Sequence, residues 1–347
     1  MSGQGQPIFV DELQRFVADV ADSRCAVIAD RLIAPLRVGV SGRRGVGSST
    51  VAHALARAGS VAETITVTSA AEADIDVYVL AEVVKPEDRA AIAAAGRPMV
   101  AVLNKADLIA TAESGRYPHE RASAARRRCA RLAEVSGLTG VPIEPVVGVL
   151  AVAALDDLVD DALWVALQQL ATRPADLSSP DNFLAGPYPL PVQLRRRLLR
   201  TLDVFGVQAA AAAIRRGATR TQTRTLLRRL SCIDDVVDEI ATVAAPVHYH
   251  RVLDAVADLE MLAVTDCRVG EFLSRDETVI ARMTAAVNVV EAVGMRVDRC
   301  DSAPAHLRRA VGWQRYSRGP VSGMHRACGA DIVRGSLRLW SKARNPA

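Results

Sequence analysis

The sequence predicts an α/β chain: a parallel sheet flanked by helices, preceded by N-terminal helices and followed by an all-α C-terminal domain. Short Val/Ile-rich runs alternate with helical stretches between residues 36 and 160, as they do when strands are covered on both faces by helices. The alternation stops at 173–191, RPADLSSPDNFLAGPYPLP, whose Pro, Ser and Asp read as a linker. Beyond it, 192–300 reads as helix throughout, punctuated by Gly217, Pro246 and Gly270.

Each element has its own signal. Phe16, Val17, Val20, Ile28 and Leu32 recur at helical spacing within 9–34, and Pro35 stops the run. A strand over 36–40, a Gly-rich loop over 41–47 and a helix over 48–58 follow. Strands are predicted at 63–68, 76–80, 98–103 and 143–147, with helices at 86–95 and, basic and amphipathic, at 123–136. The apolar run 145–155 suits a buried strand. The expected organisation is an N-terminal helical segment (1–35), a sheet domain (36–172), the linker (173–191), a helical domain (192–300) and a basic helical tail (301–347).

Composition narrows the function classes. The 347 residues are 50% hydrophobic but only 4% aromatic, so the core must be mostly Ala, Val and Leu. The net charge of +4 does not point to nucleic acid. Lysine occurs only at 85, 105 and 342; the remaining positive side chains are arginine. Six scattered cysteines without a C-x-x-C pair suggest neither a disulfide framework nor zinc and fit a cytoplasmic protein. No apolar run reaches the length of a spanning helix, and residues 1–16 lack a secretory signal pattern.

Residues 37–53 read RVGVSGRRGVGSSTVAH. From Gly42 to Ser49 this is the spacing G-x-x-x-x-G-K-[ST], with Ser48 where the lysine stands. Glycines let backbone amides converge on a phosphate, and the following helix offers its positive N-terminal end. Candidate phosphate ligands are Gly42, Arg43, Arg44, Gly45, Val46, Gly47, Ser48, Ser49 and Thr50, with the Ser49 hydroxyl the candidate for Mg²⁺. Ser48 cannot supply a point charge between β- and γ-phosphates. Arg43 or Arg44 would have to reach over, and a planar fork is a poor substitute for an ammonium.

Residues 98–108, PMVAVLNKADL, run a buried strand into Asn104-Lys105-Ala106-Asp107. This matches N-K-x-D: a carboxylate that takes guanine N1–H and the 2-amino group, a lysine stem along the base, and an asparagine tying the two loops together. On these two motifs the stretch 36–160 resembles the P-loop GTPases. The resemblance implies a last guanine-contacting turn after the 143–147 strand, where Gly148 and Val149 could contribute only backbone N–H. The layout of helices, G domain and helical C-terminal region is similar to bacterial dynamin-like proteins. GRRGVGSST also resembles the GKGGVGKST loops of partitioning and metal-chaperone ATPases and GTPases, with Arg43 and Ser48 at both lysine positions.

The departures share a direction. Fifty-seven positions separate Gly47 from Asn104, fewer than the resemblance implies, and no D-x-x-G falls between Thr50 and Asn104. The nearest acids to the 63–68 strand are Glu72, Asp74 and Glu82. Parts serving the γ-phosphate are absent; those serving the base remain. The implied function is a GTP- or GDP-binding regulatory protein with weak or no hydrolysis. An active GTPase and a nucleotide-free scaffold are the alternatives. A protein partner, such as a dynamin-like GTPase, or an anionic membrane would meet the helical region. Arginines at 195–200 and 214–229, and GSLRLWSKAR in a tail with nine basic and two acidic residues, are the candidates for that contact. A solvated helix face is the default reading of the arginines, and partner or lipid contact the sharper one. Cys300 with His306 and His325 with Cys328 lack the tight spacing of a metal site.

Overall fold

The computed structural model describes residues 5–62, 64–109, 127, 129–132, 134 and 141–344; most of the helix expected at 123–136 lies outside them. In chain order the elements begin α1 (Gly5–Val20), α2 (Ser23–Ile33), β1 (Leu36–Gly42), α3 (Ser48–Ala62), β2 (Ile65–Thr68) and β3 (Ile75–Ala81). Next come α4 (Pro86–Ala93), β4 (Met99–Asn104), α5 (Ala106–Ile109), β5 (Ile143–Val146), α6 (Gly148–Leu155) and α7 (Asp161–Thr172). Then follow α8 (Pro180–Ala185), α9 (Val192–Arg215), α10 (Arg220–Ser231) and α11 (Ile233–Val243). Last are α12 (Ala245–Ala263), α13 (Cys267–Ser274), α14 (Asp276–Ala292), α15 (Ala303–Ser317) and α16 (Gly323–Arg344). Their contacts divide the chain into two units, 35–240 and 1–34 with 241–347.

The 35–240 unit is α/β. Among the described residues its five strands are ordered β2-β1-β3-β4-β5, all parallel. The central strands β3 and β4 are nearly continuous apolar runs, IDVYVLA and MVAVLN, buried along most of their length, as strands covered on both faces must be. The run 145–155 divides instead of forming one strand. Pro145 and Val146 end β5, and GVLAVAAL is helix α6, with six of its eight residues buried. Alanine is the best helix former, and a helix apolar on every side is a buried one.

Helices α9 and α10 belong with the sheet, not with a separate domain. Leu198, Leu202, Phe205 and Val207 share one core with Leu150 of α6 and Leu163, Leu167 and Leu170 of α7. The stretch 173–191 is part of this core too, since α8 buries Phe183 there. Many of the arginines at 195–228 stitch the unit together. Arg195 donates to the Phe183 and Gly186 carbonyls (2.7 and 2.9 Å). Arg224 donates to Ala154 O (2.7 Å), and Arg197, Arg220 and Arg228 pair with Asp160, Asp161 and Asp234.

The connection from β2 to β3 is short for a physical reason. Thr68 pairs level with Gly39 and Ile75 with Val38, so β2 ends where β3 begins. The chain need only move sideways across β1. Residues 69–74 suffice, where parallel strands ordinarily need a dozen or more. Gly39 lets this strap pass: a Cβ there would lie 3.0 Å from Ala73 Cβ and 3.3 Å from Ala70 Cα. Arg97 clasps it, donating to the Ala73 and Ala70 carbonyls at 2.8 and 2.7 Å. Gly39→Ala is therefore expected to cost about 1–3 kcal/mol by overpacking, read as a lower urea midpoint with unchanged slope; an unchanged midpoint would show that the strap yields.

The other unit is all helix among the described residues. Phe9, Leu13 and Phe16 of α1 enter one core with Val252, Val290 and Ile332, and Phe16 stacks on Phe272 with ring centres 4.5 Å apart. Asp22 caps α2 through the Arg24 amide. Gly270 lies inside α13 and breaks nothing; the break falls one turn earlier, where Asp266 caps that helix. The C-terminal stretch is not a loose tail. Trp313, Cys328 and Ile332 are core residues, and Arg338 and Lys342 pair with Asp276, Lys342 also with Glu277.

Candidate functional site

The glycine-rich loop leaves the C-terminal end of β1 and enters α3. Gly45 and Gly47 hold φ of 89° and 85°, which a side chain resists. Among the described residues the backbone bonds across the loop are Val46 N to Arg43 O (3.4 Å) and Val51 N to Gly47 O (3.0 Å). The amides of Gly45, Gly47, Ser48 and Ser49 have no backbone acceptor in that set. Those of Ser48 and Ser49 belong to the first turn of a fifteen-residue helix, where N–H groups are unclaimed and the dipole is positive.

Asn104 binds three chain segments at one point. It ends β4 and is 4% exposed. Its Nδ2 donates to Val46 O at 2.9 Å, and its Oδ1 accepts from Gly148 N at 3.0 Å. Gly47 must be glycine for this, because a Cβ there would sit 2.5 Å from Asn104 Nδ2. Lys105 follows at φ 58°, exposed, with Nζ 3.5 Å from Gly45 O. Asp107 is buried in the first turn of α5. The turn into α6 is held from its other side, where Val147 N donates to Ser231 O at 3.0 Å. Since the Gly148 amide is already given to Asn104, Val149 is the residue of that pair whose N–H lacks a backbone acceptor among the described residues.

Arg43 and Arg44 take different places. Arg43 Nε donates to Asp88 Oδ1 at 2.7 Å. Asp88 is fully buried at the start of α4, where it also accepts from Tyr78 Oη (3.0 Å) and Lys85 N (2.8 Å). Burial opposes the charge on Asp88, but the Arg43 guanidinium, the Lys85 amide and the Tyr78 hydroxyl outweigh it and hold the carboxyl below its usual value. Burial, followed by the bond to Asp88, pushes Tyr78 up to about 12. Arg44 is exposed and has no side-chain partner among the described residues. Asp88 and Tyr78 were not recognisable from sequence as neighbours of the loop. Asp88 reads as an ordinary acid in a helix's first turn, and its pairing spans forty-five positions.

The neighbourhood of Ser49 is poor in acids. Strand β2 stops level with Gly39, three residues short of Gly42. Glu72 turns back to accept from Thr68 Oγ1 (2.9 Å) and Ser69 Oγ (3.3 Å), and Asp74 pairs with Arg37 at 2.8 Å. Among the described residues no group of three His, Cys, Asp or Glu side chains could hold a metal. Cys300 is exposed and Cys328 buried, while His325 Nδ1 lies 2.6 Å from Tyr316 Oη. No helix among the described residues is long and apolar enough to cross a membrane. Comparison with protein-family models and with curated proteins returns no match for this chain.

Proposed function

We propose that the 35–240 unit binds a guanine nucleotide in a regulatory capacity and hydrolyses it weakly or not at all. The diphosphate would rest on the amides of Gly45, Gly47, Ser48 and Ser49, and the base would lie between Lys105, Asp107 and the Val149 turn. The observation that carries this reading is the Asn104 bridge: one buried amide joins the phosphate-type loop, the base-reading loop and the 147–149 turn. A glycine turn with unclaimed amides at a helix N-terminus fits a diphosphate. Mg²⁺ fits poorly, because Ser49 offers one hydroxyl and the nearby carboxylates are bound to their own neighbours. Among the described residues no carboxylate or lysine is placed at a third phosphate, so GDP and GTP should bind alike.

Hydrolysis assisted by arginine is the second reading, and Arg44 is its candidate because Arg43 is held by Asp88. A protein partner, a dynamin-like GTPase among them, or an anionic membrane surface remains a proposal for the helical regions. Intrachain pairing of many of their arginines argues for the protein.

The test is titration of the purified protein with fluorescent GDP and GTP analogues, with and without Mg²⁺. Similar affinities, independent of Mg²⁺ and without sustained phosphate release, are expected. Asp107→Asn should weaken guanine binding roughly tenfold to a hundredfold and favour xanthine nucleotides. No saturable binding by the native protein would refute nucleotide binding. Unaltered guanine preference in the variant would refute the base assignment. Phosphate release lost in Arg44→Ala would establish the second reading.

A further inference from the structure

The helical unit of residues 5–34 and 241–344 carries a pocket of about 440 Å³, partly open to solvent and within the size range of small-molecule sites. Ile8, Met283, Val287 and Leu339 give it an apolar wall, and Asn288, His306 and Arg309 a polar one. Arg309 is 8% exposed and faces no carboxylate directly. Its Nε donates to the buried Ser336 Oγ (2.9 Å), Nη1 to the Asp298 carbonyl (2.6 Å) and Nη2 to His306 Nδ1 (2.7 Å).

These bonds fix the chemistry around the guanidinium. An arginine can only donate, so His306 Nδ1 accepts and its ring proton sits on Nε2, 3.0 Å from Asp301 Oδ1. The imidazole thus passes no counter-charge to Arg309. Burial disfavours that charge and lowers the affinity of Arg309 for its proton, with the Asp298 and Asp301 charges opposing it in part. One N–H on each terminal nitrogen has no partner among the described residues. Nor does the side-chain amide of Asn288 on the same wall. The acids at the rim, Asp298 and Asp301, are exposed; their carboxylates accept from the Cys300 amide and face His306. Solvent screens these charges, whereas the buried guanidinium is screened far less.

We propose that this cavity binds a small amphipathic carboxylate, its two oxygens taken by the spare N–H pair of Arg309 and its hydrocarbon body by the apolar wall. The exposed Asp298 and Asp301 offset the buried Arg309 charge only in part, which favours one further negative charge, and the spacing of two terminal N–H groups matches a carboxylate. A dianionic phosphate would bring a second charge toward Asp298 and Asp301. This site lies wholly within the helical unit and does not depend on nucleotide binding elsewhere.

The probe is sodium decanoate below its micelle concentration, titrated calorimetrically into the full chain beside decanol and decyl phosphate. Decanoate should bind saturably at one site, with decanol roughly tenfold to a hundredfold weaker. Arg309→Gln should remove that preference. Should that variant fail to fold by circular dichroism, Asn288→Trp fills the cavity from its half-buried wall and should abolish decanoate binding. No saturable heat with decanoate, equal binding of decanol, or undiminished binding in Asn288→Trp would overturn the proposal. Tighter binding of decyl phosphate would overturn the carboxylate assignment.

Discussion

Asn104→Ala is expected to lower the unfolding free energy by about 2–5 kcal/mol, measured by urea denaturation without nucleotide. The truncation orphans two backbone groups at once, the Val46 carbonyl and the Gly148 amide, both on buried residues. Each such loss costs about 1–3 kcal/mol. Water cannot readily repair both, because the side chain stands among Val46, Gly47 and Gly148 in a region shaped around it. Asn104→Asp separates the two halves: its carboxylate still accepts from Gly148 but faces the Val46 carbonyl with oxygen against oxygen. It should be no better than alanine. A loss below about 1 kcal/mol in either variant would mean that the three loops are held by something else, and the case for a shared ligand pocket would weaken with it.

Asp331→Ala should be at least as damaging, at about 3–5 kcal/mol, the range for breaking one side of a buried ion pair. Asp331 is 3% exposed. It accepts from Tyr249 Oη (2.8 Å), Arg282 Nη2 (2.9 Å) and Arg334 Nη1 (3.3 Å). Arg282 is largely buried and its Nε has no partner among the described residues, so losing Asp331 strands a charge in the helical core. Tyr249 is fully buried, and burial, with Asp331 beside it, pushes its hydroxyl far above its ordinary range. Nearby Cys328 is pushed up to about 12 by burial, which leaves it a poor nucleophile. Asp331→Asn keeps an acceptor for Tyr249 but not the charge, and should fall between native and alanine. Thermal unfolding that is the same for all three proteins would contradict the buried-pair reading.

What the sequence disclosed and what it withheld differ in range. The glycine loop and Asn104–Asp107 were legible because each is a local pattern at the end of a predicted strand. The alternation of strands and helices revealed the parallel sheet for the same reason. Helix α6 was misread because a short, wholly apolar run carries no period; its alanines were the overlooked signal. The grouping of residues 1–34 with 241–347, and of α9 with the sheet, depends on which apolar faces meet, and periodicity does not record that. The arginines at 195–228 misled most. Read as surface charge, many act through directed bonds to carbonyls and aspartates far along the chain. Arg43 is the same case in the candidate site, since only folding brings Asp88 to it.

The strap over Gly39 bears on how the chain assembles. Strands β1, β2 and β3 lie within residues 36–81, and the link between β2 and β3 closes without a crossing helix. The entropy of closing a loop rises with its length, and sheets built from nearby segments find their register sooner than those built from distant ones. The β2-β1-β3 part of this sheet is thus drawn from one contiguous segment, in a topology whose parallel strands ordinarily meet late.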